Sequence, residues 1–234
     1  MLVLFDIDGT LLLTHGAGLR AMARALADVH GPSPSGEYGL EGIETSGRLD
    51  SHIWRDLSRK HGLAEDDATH ERFRARYHHH LAAGFAADAT AHPLPGAREL
   101  VERLHGEPEV TLGLLTGNYP ETGRLKVRTA GFDPDRFVIG AFASDGPDRR
   151  SLTPVARQRF SERHGRELHP EATLIIGDTP HDVDCAKAHG CRCLAVTTGR
   201  HPAEELAGAD RIVADLLATE ELVAWILSLR PRDT

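Results

Sequence analysis

The chain has 234 residues, 40% of them hydrophobic and 5% aromatic, with a formal net charge of −8. That content can bury the core of one large domain, or of a medium domain with a smaller companion, packed mainly by Leu, Val, Ile and Ala. The acidic balance argues against a nucleic-acid or anionic-membrane surface, which needs a basic stripe, and no apolar run is long enough to span a bilayer.

The first element is an apolar strand, LVLF at 2–5, which runs straight into FDIDGT at 5–10. The acid at Asp6 comes too early for a secretory signal. A long stretch then carries helical patterning and no convincing strand, at 17–30, 48–61 and 66–84. It is far longer than a strand crossover needs and predicts a helical unit of residues 15–88 inserted into a core of 1–14 and 89–234. Three consecutive histidines, His78, His79 and His80, point in different directions on such a helix and read as a solvated face. AHPLPG at 91–96, with two prolines, reads as the return hinge.

Beyond it, short apolar runs recur at 110–115, 137–142, 173–177, 193–198 and 211–214. Continuous rather than alternating apolar runs suit strands buried on both faces of a parallel sheet. Helical segments lie between them, one starting at Pro95 and others stopping at Gly131, Gly165 and Gly190. The alternation predicts an α/β doubly wound fold. Cys185, Cys191 and Cys193 have no CxxC spacing, so neither a disulfide framework nor a zinc ribbon is expected, and a reducing cytoplasm is the expected compartment.

In a parallel sheet the functional loops gather beyond the carboxyl ends of the strands. Read in order, those ends are Asp6-Ile7-Asp8-Gly9-Thr10, Thr116-Gly117-Asn118 and Gly177-Asp178-Thr179, with Asp182 one helical turn on. Alone, a DxD is a solvated turn, TGN a helix entry capped by its Asn, and Asp178 and Asp182 the charges of a helix start. Together they bring four carboxylates to one sheet edge, where like charges repel unless a cation sits among them. An all-oxygen set favours a hard ion, Mg²⁺ first. The Thr116 hydroxyl and the amides of Gly117 and Asn118 make a seat for an anionic oxygen. Metal, anion seat and spare carboxylate point to phosphate chemistry.

These motifs resemble those of the haloacid dehalogenase-like hydrolase superfamily: FDIDGTLL its first, LLTGN its second and IIGDTPHDVDCAKAHG its fourth. The inserted helices resemble the cap of phosphoglycolate phosphatase and β-phosphoglucomutase relatives. The resemblance implies a Rossmann-like core and a Mg²⁺-dependent phosphatase of a small phosphorylated metabolite. Asp6 would be the nucleophile that forms an aspartyl-phosphate, and Asp8 the general acid and base. The ion would be held by Asp6, the Asp8 carbonyl and Asp178, with Asp182 directly or through water. The third motif departs: the lysine position of the family falls near Ser151, in RRSLTPVARQRF. Lys126 on the helix after Thr116 is favoured as the displaced cation, because a compact charge suits the role, with Arg149 or Arg150 as alternatives. The loop GIETSGRLD at 42–50 resembles a cap substrate loop, in which Arg48 would meet a distal anionic group. A phosphomutase and a catalytically weak regulatory homologue remain as alternatives. Thr10 after Gly9 leans toward hydrolysis, since the mutases tend to carry Val there.

Overall fold

The computed structural model describes residues 1–88 and 90–230. Strand β1 (Leu2–Phe5) is followed by the two-residue β2 (Leu12–Leu13) and by three helices, α1 (Ala17–His30), α2 (Asp50–His61) and α3 (Asp67–Ala87). The two-residue β3 (His92–Pro93) precedes α4 (Ala97–His105), β4 (Thr111–Leu115), α5 (Pro120–Thr129), β5 (Ile139–Ala141) and α6 (Leu152–His164). Then come β6 (Thr173–Gly177), α7 (Pro180–Lys187), β7 (Arg192–Val196), β8 (Arg211–Val213) and α8 (Thr219–Ser228).

Six strands form one parallel sheet in the order β5-β4-β1-β6-β7-β8. β1 is central, with Phe5 in register with Leu114 on one side and Ile176 on the other. All four of its side chains are buried, which is why its sequence shows no alternation. The order reverses beside β1, where consecutive halves of the chain diverge; ligands of open α/β sheets bind at such a switch point. The fold is the expected doubly wound α/β core.

Some elements differ from the sequence expectation. The segment at 193–198 leaves the sheet at Val196, because Thr198 turns out to donate its hydroxyl to the Gly9 carbonyl at 2.6 Å. α8 carries no signal in the strand–helix alternation, since it follows the last strand. β2 and β3 form an antiparallel ribbon, Leu12 opposite Pro93 and Leu13 opposite His92, too short to show a period.

Helices α1–α3 contribute a helical layer. α3 buries Phe73, Tyr77, Leu81 and Phe85, a four-residue repeat that makes one continuous stripe, and α1 packs along it through Ala21, Met22, Ala25 and Leu26. His80, expected to be solvated, reaches across this contact and pairs with Asp28 of α1 at 2.7 Å, while His79 is exposed. His70 joins the layer to the sheet: it stacks on Trp54 and its Nε2 lies 2.7 Å from the Tyr119 hydroxyl. Among the described residues no helix is long and apolar enough to cross a membrane.

Candidate active site

Asp6 emerges from the end of β1 with its main-chain N–H still bonded to the Ile176 carbonyl at 2.9 Å, so the sheet fixes its backbone. Asp178 and Asp182 arrive from the neighbouring strand end and the first turn of α7. Thr179 caps that helix: its hydroxyl donates to Asp182 Oδ2 at 2.7 Å and its amide to the same oxygen at 3.0 Å. Thr10 donates to Asp178 Oδ1 at 2.9 Å. Two glycines leave the room Asp178 needs. A Cβ on Gly9, at φ 89°, would lie 2.3 Å from its carboxylate, and one on Gly199 1.7 Å.

All three carboxylates are buried, and they offer oxygens within 4.8 Å of one another. The cation among them is Arg149, whose Nη2 lies 2.9 Å from Asp6 Oδ1 and 2.5 Å from Asp182 Oδ1. One guanidinium against three carboxylates leaves an excess of negative charge out of water. Burial drives Asp6 up to about 6, against the pull of Arg149, and drives Asp178 up to about 8, helped by the neighbouring charges of Asp6 and Asp182. A divalent cation fits this set on charge, and the oxygen-only donors fit a hard ion. Both Asp182 oxygens are already engaged, by Arg149 and Thr179, so of the three it is the one with least capacity to spare.

Asp8 has a separate set of partners and is half open, its side chain 39% exposed. Its Oδ2 accepts from Lys126 Nζ at 2.6 Å and from Asn118 Nδ2 at 2.9 Å. Asn118 closes the network by accepting from Lys126 at 2.6 Å and donating to Thr116 Oγ1 at 2.8 Å. Lys126 sits two turns into α5 and is 5% exposed; its side chain leans back toward the helix start, as helical side chains do. Of the three basic candidates for the displaced third motif, the structure brings two together. Lys126 meets Asp8 and Arg149 meets Asp6. Arg150 instead pairs with Asp184 at the surface. Ser151, at the aligned position, is turned to the local backbone, donating to Asp148 O at 2.6 Å at the entry to α6. The longer guanidinium, two residues upstream, covers the distance.

A cavity of about 600 Å³ opens over these groups, lined by Asp6, Asp8, Arg48, Tyr77, Lys126 and Arg200 among others. Its roof is the segment 45–50 before α2. Asp50, which sequence reasoning missed, is 5% exposed and couples that roof to the core: its N–H donates to Gly117 O at 2.7 Å, and its Oδ2 accepts the Tyr119 amide at 3.0 Å. Burial pushes Asp50 up to about 7, with Lys126 opposing. From sequence it reads as an ordinary acid at a helix start; the only hint is that it closes the glycine loop at 42–50. Gly117 lies under the Arg48 carbonyl, 2.0 Å from where its Cβ would be, which makes the glycine in TGN a close-approach position. Arg48 lines the cavity with its guanidinium paired to Asp56 at 2.8 Å.

The family model of haloacid dehalogenase-like hydrolases matches residues 1–190. The phosphoglycolate phosphatase of Aliivibrio fischeri is 30% identical over 214 residues, covering 88% of this chain and 87% of that one. The tyrosine-protein kinase PtkA of Mycobacterium tuberculosis is 29% identical over 203 residues, covering 85% of this chain and 62% of that one. Among solved structures, CbbY from Rhodobacter sphaeroides in complex with phosphate superposes with a TM-score of 0.69 at 19% identity, over 92% of this chain and 94% of that one, a likeness of fold.

Proposed function

The chain belongs to the haloacid dehalogenase-like hydrolase family, and from that premise we propose that it is a phosphatase that splits small phosphomonoesters through a phosphoryl group carried on Asp6. The observation that carries this reading is the pairing of two carboxylates, one residue apart, with two different cations: Asp6 with Arg149 and Asp8 with Lys126. Asp6 attacks phosphorus, and the ester oxygen leaves with a proton from Asp8. Asp8 then takes a proton from the water that hydrolyses the aspartyl-phosphate, so one difficult displacement becomes two easier ones. Lys126 meets the charge that builds on the phosphoryl oxygens, together with the Thr116 hydroxyl and the amides of Gly117 and Asn118, while Arg149 stays on Asp6. Mg²⁺ is the ion the carboxylate set suits. Asp6, the Asp8 carbonyl and Asp178 would hold it, with Asp182 directly or through water. When bound it neutralises the phosphate so that an anionic carboxylate can approach.

Residues 15–88 serve in this reading as a cap over a core of 1–14 and 89–234, and closure excludes water from the first step. Arg48, which lines the cavity with its guanidinium on Asp56, would turn to a second polar group of the ester. The test is phosphate release from a panel of phosphomonoesters, including 2-phosphoglycolate and sugar phosphates, with Mg²⁺ and with EDTA. Wild-type protein should release phosphate from at least one ester and lose that activity in EDTA. Asp6→Asn should lower kcat by on the order of 10⁴. Release that survives both EDTA and Asp6→Asn would sink the reading.

A further inference from the structure

The roof of the cavity is held by contacts to several loops at the sheet edge. Asp50 bonds to Gly117 and Tyr119 after β4, and Ser46 lies 3.1 Å from His201 Nε2 after β7. Gly47, at φ 68°, sits against the start of α7, where a Cβ would come within 2.8 Å of Thr179 Oγ1 and 2.7 Å of His181. One of these contacts differs from the rest. Arg149 Nη1 donates to the Gly47 carbonyl at 3.0 Å while Nη2 of the same guanidinium holds Asp6 and Asp182.

We propose that Arg149 is a positioning residue that makes the orientation of Asp6 conditional on the seating of loop 45–50. The inference rests on Asp6 being the nucleophile. The guanidinium is a rigid planar fork, so its two ends cannot be aimed independently. Its backbone is fixed as well, since the Arg149 carbonyl accepts from the Cys185 thiol of α7 at 3.1 Å. With the loop seated, the Gly47 carbonyl fixes the plane and Nη2 lies on Asp6. With the loop lifted, Nη1 loses its acceptor, and the plane turns to find water, taking Nη2 off the carboxylate. Alignment of the nucleophile and exclusion of water then arrive in one step. An ammonium at this point cannot do the same, because its donors radiate from a single atom. This gives a physical reason for an arginine here.

The test is hydrogen exchange at the amides of residues 46–50 in the ligand-free protein, which needs no substrate and so stands or falls separately from the phosphatase reading. Arg149→Lys keeps the charge beside Asp6 and Asp182 but loses the bridge. Exchange there should quicken about ten- to hundredfold, the value of one hydrogen bond to a charged group. Gly47→Ala, which unseats the loop directly, should do the same, and the double variant should exchange no faster than Gly47→Ala alone. With a competent ester, Arg149→Lys should raise KM and lower kcat together, because a smaller seated fraction weakens apparent affinity. Wild-type exchange rates in Arg149→Lys, multiplying effects in the double variant, or a fall in kcat with KM unchanged would each overturn the proposal. Failure of every ester to turn over would remove the phosphatase reading and leave the exchange result to decide this one.

Discussion

Asp6 and Asp8 leave the same strand end one residue apart, yet they stand in two unlike half-sites. The Asp6 side chain is 5% exposed and shares a buried arginine with Asp182, whereas the Asp8 side chain is 39% exposed and faces the cavity with a lysine. A strand alternates its side chains, and the two acids share one side while Ile7 packs into the core on the other. What separates them is therefore not the strand but the neighbours that α5 and the turn before α6 deliver. The lesson is one of division: in the proposed mechanism the attacking group is dry and paired with an arginine, and the group that trades protons with water is wet.

If that division is real, the two halves should fail differently. Asp8→Asn gives the largest contrast: kcat should fall ~10²- to 10⁴-fold on an ester with a poor leaving group. On p-nitrophenyl phosphate, whose leaving group needs no proton, the first step should survive and the second stall. A burst of about one p-nitrophenol per enzyme should then appear in stopped-flow, traced by mass to Asp6. Equal losses on both esters and no burst would erase the distinction between the halves. Lys126→Ala comes next. It removes a donor to Asp8 and Asn118 and should lower kcat by roughly 10²- to 10³-fold while melting temperature changes little. An effect under about tenfold would leave Arg149 as the one basic group that matters.

The smallest expected effect is on stability, and it belongs to the Asp6 half. Asp6 and Asp178 are raised to about 6 and about 8 in the metal-free protein, so between pH 4 and 8 the folded chain binds more protons than the unfolded one. Their contribution is therefore fully present below the unfolded carboxylate range and is lost as pH rises through 6 and 8. Melting temperature without metal should decline across that window. Added Mg²⁺ should restore it, more at pH 8 than at pH 5, because the ion displaces protons from its ligands. A Mg²⁺ effect that is independent of pH would separate the ion from these carboxylates.

The parallel sheet was legible because buried strands write themselves as unbroken apolar runs, and the strand ends then carried Asp6, Thr116 and Asp178 to one edge without further information. Asp182 followed from its place one turn into α7. Arg149 was harder to read, since a motif position counts residues while the site counts ångströms, and a side chain from two residues upstream reaches it. Asp50 was hidden for a different reason. Its partners Tyr119 and Thr122 lie about seventy residues away, and no local pattern marks a buried acid whose acceptors are filled by a distant backbone amide. The β2–β3 ribbon, two residues a side, is below the length at which any period can be seen.

That ribbon has a consequence of its own. Leu12–Leu13 and His92–Pro93 carry the chain out toward α1 and back toward α4, and they are bonded to each other. To the sheet, everything between them is one closed loop that leaves and returns at a single point. The entropy of closing such a loop grows only with the logarithm of its length, about 0.6 kcal/mol for each doubling. The anchor is therefore nearly indifferent to how much chain it carries, and what sets the insert's place over the core is its other contacts, through Gly47, Asp50 and His70.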